Sequence, residues 1–266
     1  MVRFAGFFFV FALGSANVFA QVQDPAGPAI DLPADTASVA AETPISAKQL
    51  GKNMLSDQKA VWTFPWQVAK GKHWKPATAV AIGTAGFIIL DPHIAPYFRN
   101  NSRFDSYATG PLRGRNTTLA ITLTPAVFYI VGLATHSTHA KNTGILAVEG
   151  LIGTQATSFV LKNAIGRLTP ADIPAHGNFR DTWFKYRGSF TNRGGFPSGH
   201  TASAFAVATV IAGRYPKHRW VPYLAYGAAS FLSLTRLPTR AHFPSDIFIG
   251  AAMGYGIGRL TLSRQQ

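Results

Sequence analysis

Six apolar segments, each long enough to form a helix, constrain the fold of this chain more than any other feature. None of them shows the sustained alternation of apolar and polar residues that indicates a half-buried strand. They are rich in Ala, Gly, Ser and Thr, which are small enough to let helices approach closely. We therefore predict an all-α fold, a six-helix bundle, with helices at approximately residues 77–90, 117–135, 143–161, 201–213, 220–234 and 247–260.

The charge of the chain indicates an anionic partner. The 266 residues carry a net charge of +14, and the part after residue 46 is more basic still, because several acidic residues precede it: Asp24, Asp31, Asp35 and Glu42. Such a surface attracts phosphorylated small molecules, anionic lipid headgroups or nucleic acid. We expect no nucleic acid partner, because the basic residues form no nucleic-acid-binding pattern. The absence of cysteine excludes disulfides and thiolate chemistry.

The N-terminal part predicts export. Residues 1–20 combine the basic Arg3, an apolar run and a small residue at Ala20, as a cleaved signal peptide does. An uncleaved membrane anchor is the alternative, but a spanning helix needs about 20 apolar residues. Residues 21–45 lack aromatic residues and periodicity, so we predict a disordered linker. A single helical domain then occupies residues 46–266, opening with a capping box at Ser46 and Gln49.

A glycine-rich segment before the fourth apolar run forms a candidate anion site. It reads Gly194-Gly195-Phe196-Pro197-Ser198-Gly199-His200. Backbone amides at a helix N-terminus favour anions, Ser198 can donate a hydrogen bond, and His200 can act as a general acid near neutral pH. Taken alone, the segment is equally typical of a capped helix with an incidental histidine.

A second segment places an arginine, a histidine and an aspartate between the fifth and sixth apolar runs. His242 and Asp246 are four residues apart, which in helical geometry puts the carboxylate beside the imidazole. An aspartate bound to one ring nitrogen leaves the other free to attack a substrate. Arg236 precedes them. Taken alone, the pair could simply cap a helix.

A third segment follows the third apolar run and contains Lys162 and Arg167. These cations could bind phosphate oxygens or merely complement a helix C-terminus. In an up-down bundle, however, the three segments lie at the same end. This placement would bring the two histidines, Asp246 and the cations together, which a random scatter of polar residues would not do.

These segments resemble the motifs of the type 2 phosphatidic acid phosphatase and vanadium haloperoxidase superfamily. That family carries Lys-x6-Arg-Pro, then Pro-Ser-Gly-His, then Ser-Arg-x5-His-x3-Asp, and the similarity covers roughly residues 77–260. The second motif matches in full, and the third differs only in having Thr235 for Ser. The first departs from the pattern, because Thr169 occupies the arginine position and Arg167 lies two residues earlier.

The resemblance implies a phosphohydrolase that removes phosphate from a lipid phosphate or another phosphomonoester or diphosphate. It implies that His242 forms a phosphohistidine, that Asp246 orients it, and that His200 protonates the leaving group. It also implies that no metal or other cofactor takes part, and that phosphate contacts a further set of residues: Lys162, Arg167, Ser198, Gly199 and Arg236. The alternatives are a vanadate-dependent haloperoxidase and a degenerate phosphate-binding relative with little turnover.

The sequence leaves two relations to the membrane open. Several apolar runs are short for a bilayer, which needs about 17–25 residues, so we expect an exported, periplasmic protein, soluble or in contact with a membrane surface. The alternative is an integral inner-membrane protein. Tryptophan and lysine mixed in the stretch around Trp62, Trp66 and Trp74 would suit a membrane interface, or the aromatic residues could pack a loop onto the core.

Overall fold

The computed structural model describes residues 42–188 and 194–264. Within these ranges eight α-helices and two short 3-10 turns occur and no strand, so the all-α prediction is confirmed. The helices are α1 (Ala47–Ala69), α2 (Trp74–Arg99), α3 (Asp105–Thr109), α4 (Gly114–Ala134), α5 (Thr138–Ile165), α6 (Gly199–Arg214), α7 (Trp220–Leu234) and α8 (Pro244–Ser263). The predicted signal peptide and residues 21–41 of the predicted linker lie outside the described residues.

Two helices are additional to the six predicted from the apolar segments. The short α3 is one, and the other is α1, a helix of 23 residues that follows the predicted capping box. It begins at the predicted cap, where the Ser46 hydroxyl accepts a hydrogen bond from the Gln49 amide at 3.2 Å. Trp62 and Trp66 lie on α1 and are exposed, so they do not pack a loop onto the core.

The second helix is longer than its apolar segment predicted. The prediction ended at residue 90, before Asp91 and Pro92, whereas α2 continues to Arg99 through Pro92 and Pro96. Proline removes only one backbone hydrogen bond each time, which packing can offset. The Asp91 side chain is fully buried against the loop between α5 and α6 and against α8 rather than ending the helix.

A stripe of glycines brings α8 against α6. Gly250, Gly254 and Gly258 recur at four-residue spacing on one face of α8. A Cβ on Gly254 would lie 2.1 Å from the Ala202 carbonyl oxygen, and one on Gly250 would lie 2.7 Å from that of Ser198. Only glycine therefore permits this approach of the two backbones. The close packing sets the start of α8 beside the start of α6.

The main core surrounds α6, which packs against α5 and α7. Its buried side chains include Ala204, Val207, Val210 and Ile211.

Three segments are long and apolar enough to cross a membrane: Trp74–Arg99, Gly114–Ala134 and Thr138–Asp172. The expectation that the apolar run at residues 77–90 is too short for a bilayer is therefore wrong, because α2 extends beyond it over 26 residues. The run at residues 201–213 stays short, since α6 has 16 residues.

Candidate active site

Four helix ends meet at one pole of the bundle, and each carries a residue of the predicted site. Lys162 lies in the last turn of α5 and His200 in the first turn of α6, whereas Arg236 follows α7 and His242 precedes α8. Antiparallel neighbours in a bundle place the end of one helix beside the start of the next. The two imidazole rings accordingly lie with their centroids 6.4 Å apart, a separation that lets both reach one phosphoryl group.

The main chain orients the ring of His242. Its Nδ1 lies 2.8 Å from the carbonyl oxygen of Gly195. A carbonyl can only accept, so Nδ1 carries the hydrogen and Nε2 keeps its lone pair. Burial lowers the pKa of His242 below its usual value, which keeps the ring neutral at pH 7. A neutral ring with a free Nε2 is the form that can attack phosphorus.

Asp246 does not hold His242 in the predicted way. Its Oδ2 lies 3.7 Å from Nδ1 of His242, beyond hydrogen-bond distance. Both carboxylate oxygens are engaged elsewhere, Oδ1 by Arg167 at 2.6 Å and Oδ2 by the amide of Phe243 at 2.8 Å. Asp246 can therefore stabilise a cationic ring by its charge, while Gly195 sets the tautomer.

Arg167 occupies a different place from the one expected of a phosphate ligand. Its guanidinium is 1% exposed and stacks between the rings of Trp183 and Phe243. All three of its nitrogens donate to protein groups at 2.6–3.2 Å, namely Thr182, Ser245, Asp246 and Asp91. The structure thus gives Arg167 the role of tying α2, the α5–α6 loop and α8 together beneath the site.

Thr169, which stands at the family's arginine position, is also turned away from the site. Its hydroxyl donates to Asp172 at 2.7 Å, and its amide donates to the same carboxylate at 2.8 Å. This pair caps the 3-10 turn Pro170–Asp172.

Arg236 supplies a buried guanidinium near His200. It is fully buried, its Nε and Nη2 donate to the Thr235 hydroxyl, and Nη2 also donates to the Leu112 carbonyl. Nη1 has no hydrogen-bond partner among the described residues. Burial lowers the pKa of Arg236 to about 10, so the group is still cationic at neutral pH. A buried donor without an acceptor is costly, and an anion would supply the acceptor.

Ser198 and Gly199 form the start of α6. The Ser198 hydroxyl accepts from both the hydroxyl and the amide of Thr201, at 3.0 and 3.4 Å. Its own hydrogen is therefore free to be donated. Gly199 and His200 are the first two residues of the helix, where amides have no intrahelical partner. This end of α6 can bind phosphate oxygens.

The positive field at this pole acts on His200. Burial, followed by repulsion from a protonated His242 and from the charges of Arg236 and Lys162, lowers the pKa of His200 to about 3. The Lys162 charge acts on His242 in the same direction. His200 is therefore neutral while the site is empty. A bound phosphate would offset the cations and favour the protonated ring that a general acid requires.

The start of α4 also reaches His200, which the motifs did not predict. The Nε2 atom of His200 lies 2.9 Å from the Thr118 hydroxyl and 3.3 Å from the Gly114 carbonyl. No motif marks these two residues, so only the packing of α4 shows that they belong to the site.

The sequence motifs also missed Asp91, although a single carboxylate in an apolar helix is by itself a signal of function or pairing. Among the described residues, no group of three or more His, Cys, Asp and Glu side chains could hold a metal ion.

Comparison with known proteins relates the site to one family. Residues 143–266 match the model of the PAP2 superfamily. The chain is similar to the lipid A 1-phosphatase of Rhizobium etli, at 36% identity over 102 residues, which cover 38% of this chain and 41% of that protein. The lipid A 1-phosphatase of Rhizobium johnstonii is 35% identical over 102 residues, which cover 38% of this chain and 39% of the relative.

A third relative, the lipid A 1-phosphatase of Porphyromonas gingivalis, is 41% identical over 66 residues, which cover 24% of this chain and 15% of the relative. The chain thus spans less than half the length of these curated proteins. No solved structure matches it significantly.

Proposed function

We propose that the protein is a phosphatase that removes phosphate from a phosphorylated lipid, because residues 143–266 match the model of the PAP2 superfamily. One observation carries the proposal: the ring centroids of His200 and His242 lie 6.4 Å apart, and Nη1 of Arg236, near His200, has no hydrogen-bond partner among the described residues. This arrangement combines a nucleophile, a proton donor and a cation around the space of one phosphoryl group.

In the first step, Nε2 of His242 attacks phosphorus and the bond from phosphorus to the ester oxygen breaks. His200 transfers a proton to that leaving oxygen, and the phosphoryl group remains on His242. The charge of Asp246, 3.7 Å from Nδ1, stabilises the cationic ring. In the second step, water attacks the phosphohistidine, His200 accepts its proton, and inorganic phosphate leaves. The covalent intermediate thus divides one difficult displacement at phosphorus into two easier ones.

The cations of the site stabilise the charge on the phosphoryl oxygens. Arg236 and Lys162 supply fixed positive charge, and the amides at the start of α6 supply hydrogen bonds. Such preorganised donors account for much of the catalysis in phosphoryl transfer. We propose that the reaction needs no metal, and undiminished activity in the presence of EDTA would support this.

The substrate that we propose is the phosphate of a membrane lipid, with lipid A as the first to be tested because the relatives are named for it. The three apolar segments support membrane association, and the catalytic pole lies at an end of these helices, where a headgroup can reach it. The exposed Trp62, Trp66 and Trp74, with Lys70 over the Trp66 ring at 5.2 Å, suit a membrane interface.

Two histidine variants of the full chain test the mechanism in detergent micelles that contain lipid A or phosphatidic acid. His242→Ala should abolish phosphate release, whereas the exposed His93→Ala serves as the matched control and should keep full activity. His200→Asn should lose about 10²–10⁴-fold with a lipid phosphate. With p-nitrophenyl phosphate, whose leaving group needs no proton, the same variant should give a burst and accumulate phosphohistidine, visible by ³¹P NMR. Retention of most activity by His242→Ala would refute the assignment of His242 as the nucleophile.

A further inference from the structure

The first turn of α4 lies outside the part of the chain that matches the family, yet it borders the catalytic pole. We propose that this turn forms a wall of the phosphate site, in which the amides of Gly114 and Arg115 and Nη1 of Arg236 bind one oxygen of the phosphoryl group. The inference rests on the proposed function, because it assigns a new ligand contact to the same site.

The site lacks one cation that the sequence motif would supply. Thr169 stands in the arginine position, and its hydroxyl is bonded to Asp172. Arg167 cannot replace the missing guanidinium, because its three nitrogens donate to side chains on α2, the α5–α6 loop and α8. Another group therefore has to bind the third phosphoryl oxygen.

The start of α4 carries backbone donors that have no partner among the described residues. The residue before the helix, Arg113, has a non-helical backbone (φ −58°, ψ 157°), and no side chain in the described part of the chain caps the helix. The first backbone hydrogen bonds are donated by Asn116 and Thr117 to the Arg113 carbonyl, so the amides of Gly114 and Arg115 precede the hydrogen-bonded part of the helix. The helix dipole adds a partial positive charge at this end of a helix of 21 residues.

An independent observation points to an anion at this turn. Nη1 of Arg236 is fully buried and unpartnered among the described residues. A methyl group built on Gly114 would lie 3.7 Å from that nitrogen and 3.7 Å from Nε2 of His200. The open side of Gly114 therefore faces the guanidinium and the imidazole together. A phosphoryl oxygen bound there would accept a hydrogen bond from Nη1 and lie beside His200, the proton donor.

The absence of a side chain on Gly114 gives a sharp test. Gly114→Ala places its methyl at van der Waals distance from both groups, so it should fold normally while narrowing the space in which the phosphoryl oxygen is bound. The inhibition constant for inorganic phosphate should rise about tenfold or more, with an unchanged melting temperature. Gly227→Ala on α7 is the matched control, because nothing lies within 4 Å of the added methyl.

A second measurement keeps the inference falsifiable if Gly114→Ala shifts the helix. In ¹⁵N-glycine-labelled protein, added phosphate should move the amide signals of both Gly114 and Gly199. Phosphate inhibition unchanged in Gly114→Ala, or a Gly199 signal that responds while Gly114 does not, would overturn the inference and leave the phosphatase proposal standing. A wild-type protein that neither hydrolyses nor binds phosphate would overturn both.

Discussion

The buried guanidinium of Arg167 should be worth several kilocalories of stability. Arg167→Met keeps the length of the side chain but removes the cationic donor to Asp91 and Asp246, both of which are fully buried. The neutral donors from Ser245 and from the Phe243 amide remain. Removing one partner from a buried ion pair costs about 3–5 kcal/mol, because the remaining charge stays buried without compensation. Here two carboxylates lose their cationic partner, at 2.7 and 2.6 Å, but keep neutral donors, so a loss within that range is expected.

The assay is thermal unfolding of the purified full chain in detergent, followed by tryptophan fluorescence. For a chain of this size, about 1 kcal/mol shifts the melting temperature by roughly 2–4 °C, so Arg167→Met should melt roughly 6–20 °C lower. Arg259→Met is the matched control, because Arg259 is exposed on α8 and surface changes stay within about 0.5 kcal/mol.

A double-mutant cycle identifies the cause of the loss. Adding Asp91→Asn to Arg167→Met removes one uncompensated charge, so the double variant should be more stable than the sum of the single changes by about 0.5–3 kcal/mol. An Arg167→Met protein that melts like the wild type but binds phosphate more weakly would refute the structural role. It would restore the role of phosphate ligand that the sequence suggested.

Two further predictions concern His200. Thr118→Val removes the hydroxyl that lies 2.9 Å from Nε2 of His200. We expect kcat to fall about fivefold, KM to stay unchanged and the pH profile of the activity to shift. The control is Thr124→Val, which loses only a hydrogen bond to a helix carbonyl and should leave the pH profile unchanged. The folded-state pKa of His200 is about 3, below the usual 6.5, so between these values the unfolded chain binds more protons. Its contribution to stability is complete above pH 6.5 and is lost as the pH falls toward 3. The free energy of unfolding, measured in urea, should be about 2 kcal/mol lower at pH 5 than at pH 8. The His200→Asn variant should lose this part of the pH dependence. An undiminished pH dependence in that variant would contradict the assignment of the effect to His200.

Local features were predictable from the sequence because they depend on neighbours in the chain. The apolar segments gave the helices, and the Ser46 cap gave the start of α1. Helix boundaries were less accurate, as α2 shows by continuing through Pro92 and Pro96. A proline disfavours a helix locally, but burial of Asp91 against Arg167 is a distant contact that no local pattern reports.

The sequence by itself determined which residues gather at one pole of the bundle, the candidate active site. Motif order and helix parity place His200, His242, Arg236 and Lys162 at the same ends of alternating helices, and this requires no knowledge of distances. Only the tertiary structure decided what each group does there. Packing of α2 and α4, which carry no motif, engages Arg167 with Asp91 and presents Gly114 to Arg236. Because a hydrogen bond depends on differences of less than an ångström between segments far apart in the chain, residue order alone could not assign Gly195, rather than Asp246, to the His242 ring.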